Sequence, residues 1–285
     1  MAQERDFDAE RRQIAGLWEA AAAGWARQQD AWADQSAPVA AWLVDALPLR
    51  PGTKLLELAA GTGEVGFHAA PLLEPGGTLI CSDQSEAMVE VARARAERLG
   101  LRNVEFRVLD GEWIDLPVAS VDAVVCRWGY MLMADPAASL RETRRVLRSG
   151  GSLSLAVWDA RSANPWSEVP HRILAERGLV EPTAPGAPGP FALADRERLR
   201  ELLDDAGFTE IEIDAVEISR RAPDFERYWA MQLDLSVATR AALEPLDDAA
   251  RHELADAVEA ALAGFRTPSG GFAVPGRTLV ALAGA

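Results

Sequence analysis

The chain has 285 residues, 49% of them apolar, and a formal net charge of −15. That is enough apolar content for a sizeable core, in one large α/β domain or two small ones. The acidity argues against a nucleic-acid partner, which needs cationic surface to displace counterions. The one basic stretch, Arg141, Arg144, Arg145 and Arg148, has the spacing of a solvated helix face. No apolar run reaches the roughly eighteen residues of a membrane span. The opening MAQERDFDAERRQ is too charged for a signal peptide, so a cytoplasmic protein with no membrane partner is expected. Two cysteines, Cys81 and Cys126, are too few for a disulfide framework or a metal site and read as buried thiols.

Residues 1–50 read as helical and carry Trp18, Trp25, Trp32 and Trp42. From residue 53 the pattern alternates. KLLEL is a short apolar run that fits a buried parallel strand, and it ends in a glycine loop. A helix over 64–73, with Pro71 as a kink, leads to a second strand, TLICSD, ending at Asp83. Ser85 caps the next helix, whose apolar face is Met88, Val91, Ala92, Ala96 and Leu99, and Gly100 stops it. NVEFRVLD and VDAVVCRW are strands three and four. Asp135-Pro136 is a cap followed by proline in the first turn of a helix that runs to Leu147. SLSLAVWD is strand five. Strands alternating with helices in this way predict a doubly wound parallel sheet with right-handed crossovers.

After strand five the rhythm changes. Residues 160–190 hold Pro165, Pro170, Pro182, Pro185, Pro188 and Pro190, which predicts a long, partly ordered connection. Asp195 caps a helix with Leu199, Leu202 and Leu203 inward, stopped by Gly207. TEIEIDAVEI alternates as a strand with one wetter face. A helical segment follows over about 224–265, and TLVALAGA closes the chain as a last strand.

The loop ELAAGTGEVG contains Gly61, Gly63 and Gly66 in a G-x-G-x-x-G spacing. Alone, that spacing serves a dinucleotide or S-adenosylmethionine (SAM) equally well. Asp83, at the end of strand two, suits the ribose of either. Three further features favour SAM. Glu57 puts a carboxylate inside strand one, where burial is costly unless a cation or donor such as a methionine ammonium meets it. Asp110-Gly111 ends strand three with an acceptor for an exocyclic amine. The residues after strand five show no second core of the kind a nicotinamide enzyme uses for its substrate.

Together with SD at 82–83, LDGEWIDLP at 109–117, VDAVVCRWGYML at 121–132 and RRVLRSGGSLSLAVW at 144–158, the loop resembles class I SAM-dependent methyltransferases. It is most similar to the branch holding ubiquinone and menaquinone C-methyltransferases and many bacterial small-molecule enzymes. AGF at 206–208 and GGFAVPGRTLV at 270–280 extend the likeness. Ala59 departs from it, since many members have glycine there and the methyl group would lie close to the cofactor.

The resemblance implies a seven-stranded, mostly parallel Rossmann-like sheet with an antiparallel C-terminal strand, N-terminal helices and a helical insert. It implies one domain over 1–285: a helical cap at 1–50, a SAM-binding core at 51–160, and a substrate-side remainder at 161–285. The strand order it carries, 3-2-1-4-5 and then the later pair, leaves Cys81 and Cys126 about 9–10 Å apart, too far for a disulfide. It places Ala59, Gly61, Thr62 and Gly63 against the methionine part of SAM, with Glu57 meeting its ammonium. Asp83 takes the ribose hydroxyls, with Gln84 and Met88 at the ribose and adenine edge. Asp110 and Gly111 meet adenine, with Glu112 or Trp113 packed beside it, and the backbone of Arg127 serves the methionine end.

The implied activity is methyl transfer to a small-molecule acceptor by in-line displacement, releasing S-adenosyl-L-homocysteine. A quinone C-methyltransferase and a non-catalytic SAM-binding sensor or partner subunit are the alternatives, and a nicotinamide oxidoreductase ranks last. A general base is needed only for an acceptor that keeps its proton; His171 and Tyr130 are the candidates. Trp25, Trp32, Trp128, Tyr130, Met131, Trp166 and Tyr228 are expected to line the acceptor pocket above the carboxyl ends of the strands. The acceptor, the atom methylated and the choice between monomer and homodimer are not set by the sequence.

Overall fold

The computed structural model describes residues 6–180 and 186–285. Five strands, β1 (Lys54–Glu57), β2 (Thr78–Asp83), β3 (Val104–Val108), β4 (Val121–Arg127) and β5 (Leu147–Trp158), pair in parallel. β6 (Thr209–Ala222) and β7 (Phe272–Gly284) form a long antiparallel ribbon, and β7 also runs antiparallel to β5. The order across the sheet is β3-β2-β1-β4-β5-β7-β6. The expected seven-stranded Rossmann-like sheet is therefore present. β1 is the middle one of the five parallel strands, with Leu55 and Leu56 fully buried, as a strand covered on both faces must be. Cys81 and Cys126 are free, buried thiols on the two strands that flank β1.

The helices follow their sequence signals where caps are written locally. α2 (Glu64–Ala69) passes into a 3-10 turn over Ala70–Leu73 that takes Pro71 in its first turn, which is where the kink was expected. α3 (Glu86–Leu99) starts where the Ser85 hydroxyl accepts from the Met88 amide and stops at left-handed Gly100. α4 (Pro136–Val146) starts on Asp135, whose carboxylate accepts from Ala138.

Two expectations are corrected and one is refined. The 160–190 stretch is not mainly an irregular connection: α5 (Pro165–Glu176) occupies its middle. Pro165 sits at the helix start, where its missing N–H costs nothing, and Pro170 is tolerated inside. Pro182 and Pro185 lie outside the described residues. The expected helical insert after β6 is present and resolves into three helices, α7 (Phe225–Leu235), α8 (Val237–Leu243) and α9 (Asp248–Ala261), and the expected helix α6 (Arg196–Asp205) precedes β6. β6 and β7 also extend well past the ten-residue and eight-residue runs read as strands. β5 stops pairing with β7 at Trp158–Thr278, whereas β6 and β7 continue together to Ala222–Phe272. The ribbon thus projects beyond the sheet on the side of the strands' carboxyl ends.

The N-terminal region is a single helix, α1 (Phe7–Asp45), of 39 residues. Its sevenfold tryptophan spacing keeps Trp18, Trp25 and Trp32 on one face, since two turns of helix advance about seven residues. That face lies across the sheet's carboxyl edge.

Candidate functional site

β1 ends at Glu57, and the chain then turns through left-handed Ala59 (φ 51°), Gly61 (φ 54°) and Gly63 (φ 81°) before entering α2. Gly63 needs to be glycine twice over, for its angle and because a Cβ there would meet the Phe67 ring at 2.4 Å. A Cβ at Gly61 would meet nothing within 4 Å, so the space above the loop is open for a ligand. The Ala59 methyl is housed rather than left against a cofactor: a Cβ at Gly129 would lie 2.6 Å from it, so Gly129 supplies the room that Ala59 uses.

Asp83 stands at the tip of β2. One carboxylate oxygen accepts from the Gly61 amide (2.9 Å) and the other from the Ser85 amide (3.0 Å). Burial pushes its pKa up while these amides pull it down. Asp110, just past β3, accepts from the Glu112 amide at 2.8 Å. A Cβ on the neighbouring Gly111 would meet Met133 at 2.6 Å. The Glu57 side chain is fully buried beneath the loop, against Gly66. Burial raises its pKa to about 8, and one of its carboxylate oxygens has no partner among the described residues. An open loop, two carboxylates at adjacent strand tips and an unsatisfied buried acid fit the methionine, ribose and adenine parts of SAM.

α1 forms the roof. From its start onward, Arg11 donates to Glu112 (2.8 Å), and Glu19 accepts from the Ser85 hydroxyl (2.7 Å) and the Ala87 amide (3.3 Å). Ala21 and Ala22 pack on Met88. Asp30 approaches Arg95 at 3.8 Å, and Ser36 accepts from Arg127. Glu112 is fully engaged in this closure, since its second oxygen accepts from the Ala134 amide at 2.7 Å. Gln84 is half-buried beside these contacts, and Trp113 is 77% exposed rather than packed over a base.

The Arg127 side chain does more than the backbone role expected of it. It forms an ion pair with Glu64, and Glu64 also binds Arg95 (3.0 Å) and the Thr62 hydroxyl. This buried cluster ties the loop, α2, α3, β4 and α1 together. Burial lowers the Arg127 pKa, and the charge of Glu64 opposes that shift.

Beside the glycine loop's neighbour β4, aromatic rings form one continuous line. Trp18, Trp25, Trp32, Trp128, Trp158, Trp166 and Phe191 follow one another with centroid separations of 5.8, 6.5, 5.4, 4.4, 4.7 and 6.2 Å. Trp128 is held with φ at 58°, donates its indole N–H to Thr278 (2.8 Å) and stacks on Trp158. Asn164 fixes Trp166 by accepting from its indole at 2.9 Å, while donating to the carbonyls of Asp159, Ala160 and Arg277. Four of the predicted pocket residues, Trp25, Trp32, Trp128 and Trp166, are therefore brought together. Tyr228, on α7, is buried against Phe225 and Phe272. Met131 lies beneath the line, its sulfur 3.5 Å from the Trp158 amide.

Tyr130 is a correction. Its hydroxyl bonds Thr143 on α4 at 2.7 Å, and its ring is fully buried, which lifts its pKa well above the ordinary range. It braces α4, and its hydroxyl is committed to that contact. His171 is half-buried on α5, outside the inward face made by Trp166, Pro170, Ile173 and Leu174. Burial, then the charge of Arg161, lowers its pKa.

Sequence reasoning missed Arg11, Glu19, Glu64, Arg95 and Arg220. Only Arg220 left a legible signal. It continues the inward phase of Val216 and Ile218 along β6, where an apolar residue belongs.

A glycine loop at the end of a central parallel strand, acids on the next two strand tips and an antiparallel final ribbon define a SAM-binding, Rossmann-like methyltransferase. Residues 49–207 match the profile described as a methyltransferase domain, and the chain belongs to that family. It is 32% identical over 198 residues to nocamycin O-methyltransferase of Saccharothrix syringae, covering 66% of this chain and 71% of that protein. It is 28% identical over 179 residues to the ubiquinone/menaquinone biosynthesis C-methyltransferase of Cellvibrio japonicus (strain Ueda107), covering 59% and 72%. Its fold is similar to the crystal structure of a putative methyltransferase from Bacillus halodurans C-125, with a TM-score of 0.57 and 21% identity, over 86% of this chain and 97% of that one. The protein is a SAM-dependent methyltransferase of the small-molecule type. No helix among the described residues is long and apolar enough to cross a membrane, and they hold no cluster suited to a metal.

Proposed function

We propose that this enzyme methylates a flat, oxygenated small molecule in a biosynthetic reaction, working as a single domain in the cytoplasm. The observation that carries the reading is the unbroken line of aromatic rings joining the roof helix to the tips of β4 and β5. Buried indoles present flat apolar faces that suit a planar acceptor at little entropic cost. Two buried free thiols suit a reducing compartment.

SAM supplies an already activated methyl group, so the chain's own residues chiefly position and dry the site. In this reading the turn Ala59–Gly63 cradles the methionine part. Asp83 holds the ribose with Gln84 and Met88 beside it, and Asp110 with Gly111 takes the adenine amine. Glu57 supports the loop from below. Glu112 and Arg127 act by fastening α1 over the donor. No side chain is assigned as an obligatory base: Tyr130 is committed to Thr143, and His171 sits off the tryptophan face. The two similar proteins named above divide between oxygen and carbon acceptors. A quinone ring is the second reading, supported by the similarity to the ubiquinone/menaquinone biosynthesis C-methyltransferase.

The test is to incubate the enzyme with methyl-tritiated SAM and a fractionated metabolite extract. Label should appear in a small, organic-soluble product. Label confined to protein or nucleic acid, or no transfer with any fraction, contradicts the proposal.

A further inference from the structure

Arg220 sits where β6 leaves the sheet, in the projecting ribbon, and is only 3% exposed. Among the described residues no carboxylate pairs with it. Its guanidinium is flanked by the Trp166 ring at 3.7 Å and the Trp32 ring at 4.9 Å. Among the described residues its one hydrogen bond is from Nη1 to the Gln232 side-chain oxygen, at 2.8 Å. Nε is buried and has no partner.

A buried cation without a counter-charge is costly, and ring faces offset only part of that cost. Burial does pull the Arg220 pKa down, to about 10, which still leaves it charged at neutral pH. The rings cover the faces of the guanidinium, so what remains is its in-plane edge. With Nη1 on Gln232, the free edge is Nε–H and Nη2–H, the parallel fork that matches a carboxylate.

Two other buried polar atoms nearby are also without partners among the described residues: the Trp32 indole nitrogen and the Tyr228 hydroxyl. Tyr228 stands one turn before Gln232 on α7, on the same face, and it feels the charge of Arg220. Indole and guanidinium can only donate, and a phenol donates readily. A group of unpaired donors around a lone buried cation calls for an acceptor-rich anion.

The geometry points to an oxyanion seat for the methyl acceptor: the free edge of Arg220, with Trp32 and Tyr228, binds a planar carboxylate or acidic enolate on that molecule. This rests on the proposed acceptor pocket and adds the acceptor's charge to it. The seat joins the transfer site directly, because Trp32 packs on Trp128, the residue that follows β4. The same chemistry exists in the carboxylate of SAM itself. Arg220, however, belongs to β6, four strands from β1, or about 19 Å at the usual spacing. The seat is assigned to the acceptor on that separation of strands, and the donor-product affinity of the variants below tests the other occupant.

The experiment uses the full chain saturated with S-adenosylhomocysteine. Cinnamate, 2-naphthoate and the enolate 4-hydroxycoumarin are each titrated against a neutral counterpart: cinnamamide, 2-naphthamide or 4-methoxycoumarin. At least one anion should bind roughly tenfold or more tightly than its counterpart, quenching tryptophan fluorescence. Arg220→Gln and Arg220→Met should abolish that preference, leave S-adenosylhomocysteine affinity unchanged, and keep or raise Tm, since they remove an unpaired buried charge. The inference is overturned if the wild type prefers no anion, or if the preference survives both substitutions. It is also overturned if both variants melt lower, marking a structural cation, or if they lose the donor product instead, assigning the charge to the carboxylate of SAM. A wild type that fails to bind S-adenosylhomocysteine at the outset would sink the donor site itself, a separate result.

Discussion

Glu57 illustrates how one residue reports on the site. Its pKa is raised in the folded state to about 8 by burial, so the native protein holds a proton that the unfolded chain releases near its ordinary value. The resulting stability is fully present below the unfolded pKa and is lost as pH rises through 8. The contribution falls by up to about 1.4 kcal/mol per pH unit between those limits. Glu57→Gln removes the titration. The variant should match the wild type in chemical denaturation near pH 5 and exceed it at pH 9, and a constant difference across that range would refute the buried-acid account. His171→Ala gives a second test at this scale. Loss of a true base costs about 10²–10⁴ in rate, whereas the present account expects kcat to stay within about threefold. Much at this scale was legible because the signals are local: the glycines and acids lie at the ends of recognisable strands. The partners of Glu19 and Arg11 are Ser85 and Glu112, far along the chain, and nothing in the spacing announces them. Ala59 read as a misfit only because Gly129, which accommodates it, is seventy positions away.

At the scale of elements, α1 is the part that function demands and sequence least explained. Its tryptophans announced a buried face but not what that face covers. Glu19→Gln weakens the clasp on Ser85 and Ala87, so S-adenosylhomocysteine should dissociate several-fold faster in stopped-flow chase experiments while the far-ultraviolet spectrum is unchanged. An unaltered off-rate would separate the helix from the donor cleft. Gly24 tests how α1 docks on α7: a Cβ there would lie 2.8 Å from the Asp234 carbonyl. Gly24→Val should therefore destabilise by about 1–3 kcal/mol, read as a lower Tm, whereas Gly16→Val, where a Cβ meets nothing within 4 Å, should not carry that clash. Equal losses would show that the close approach is immaterial. α5 was obscured by its prolines, which are compatible with a helix start and with one interior break but equally suit a connection. The extra length of β6 and β7 escaped notice for another reason. Their pairing is made across some fifty residues of insert (223–271), and a polar arginine interrupts the apolar alternation.

Across the whole molecule, the alternation of strands and helices fixed the fold class, and the order of the first five strands agreed with the resemblance because right-handed crossovers leave few other ways to connect them. The position of the later pair could not come from periodicity, since non-local pairing leaves no local trace. One consequence of a ligand site spread over β1, β2, β3 and α1 is global. A bound donor product stabilises the native state by about 2.7 kcal/mol at a hundred times its Kd, and hydrogen exchange should slow along α1 as well as at the loop. The most direct measurement is calorimetric binding of S-adenosylhomocysteine to the wild type, Asp83→Asn and Asp110→Asn, with NADH as the control ligand. The account predicts tight binding by the wild type, a loss of about 1–3 kcal/mol in each variant, and no NADH binding. Undiminished affinity in both variants, or binding of NADH in place of the sulfur nucleoside, would contradict it.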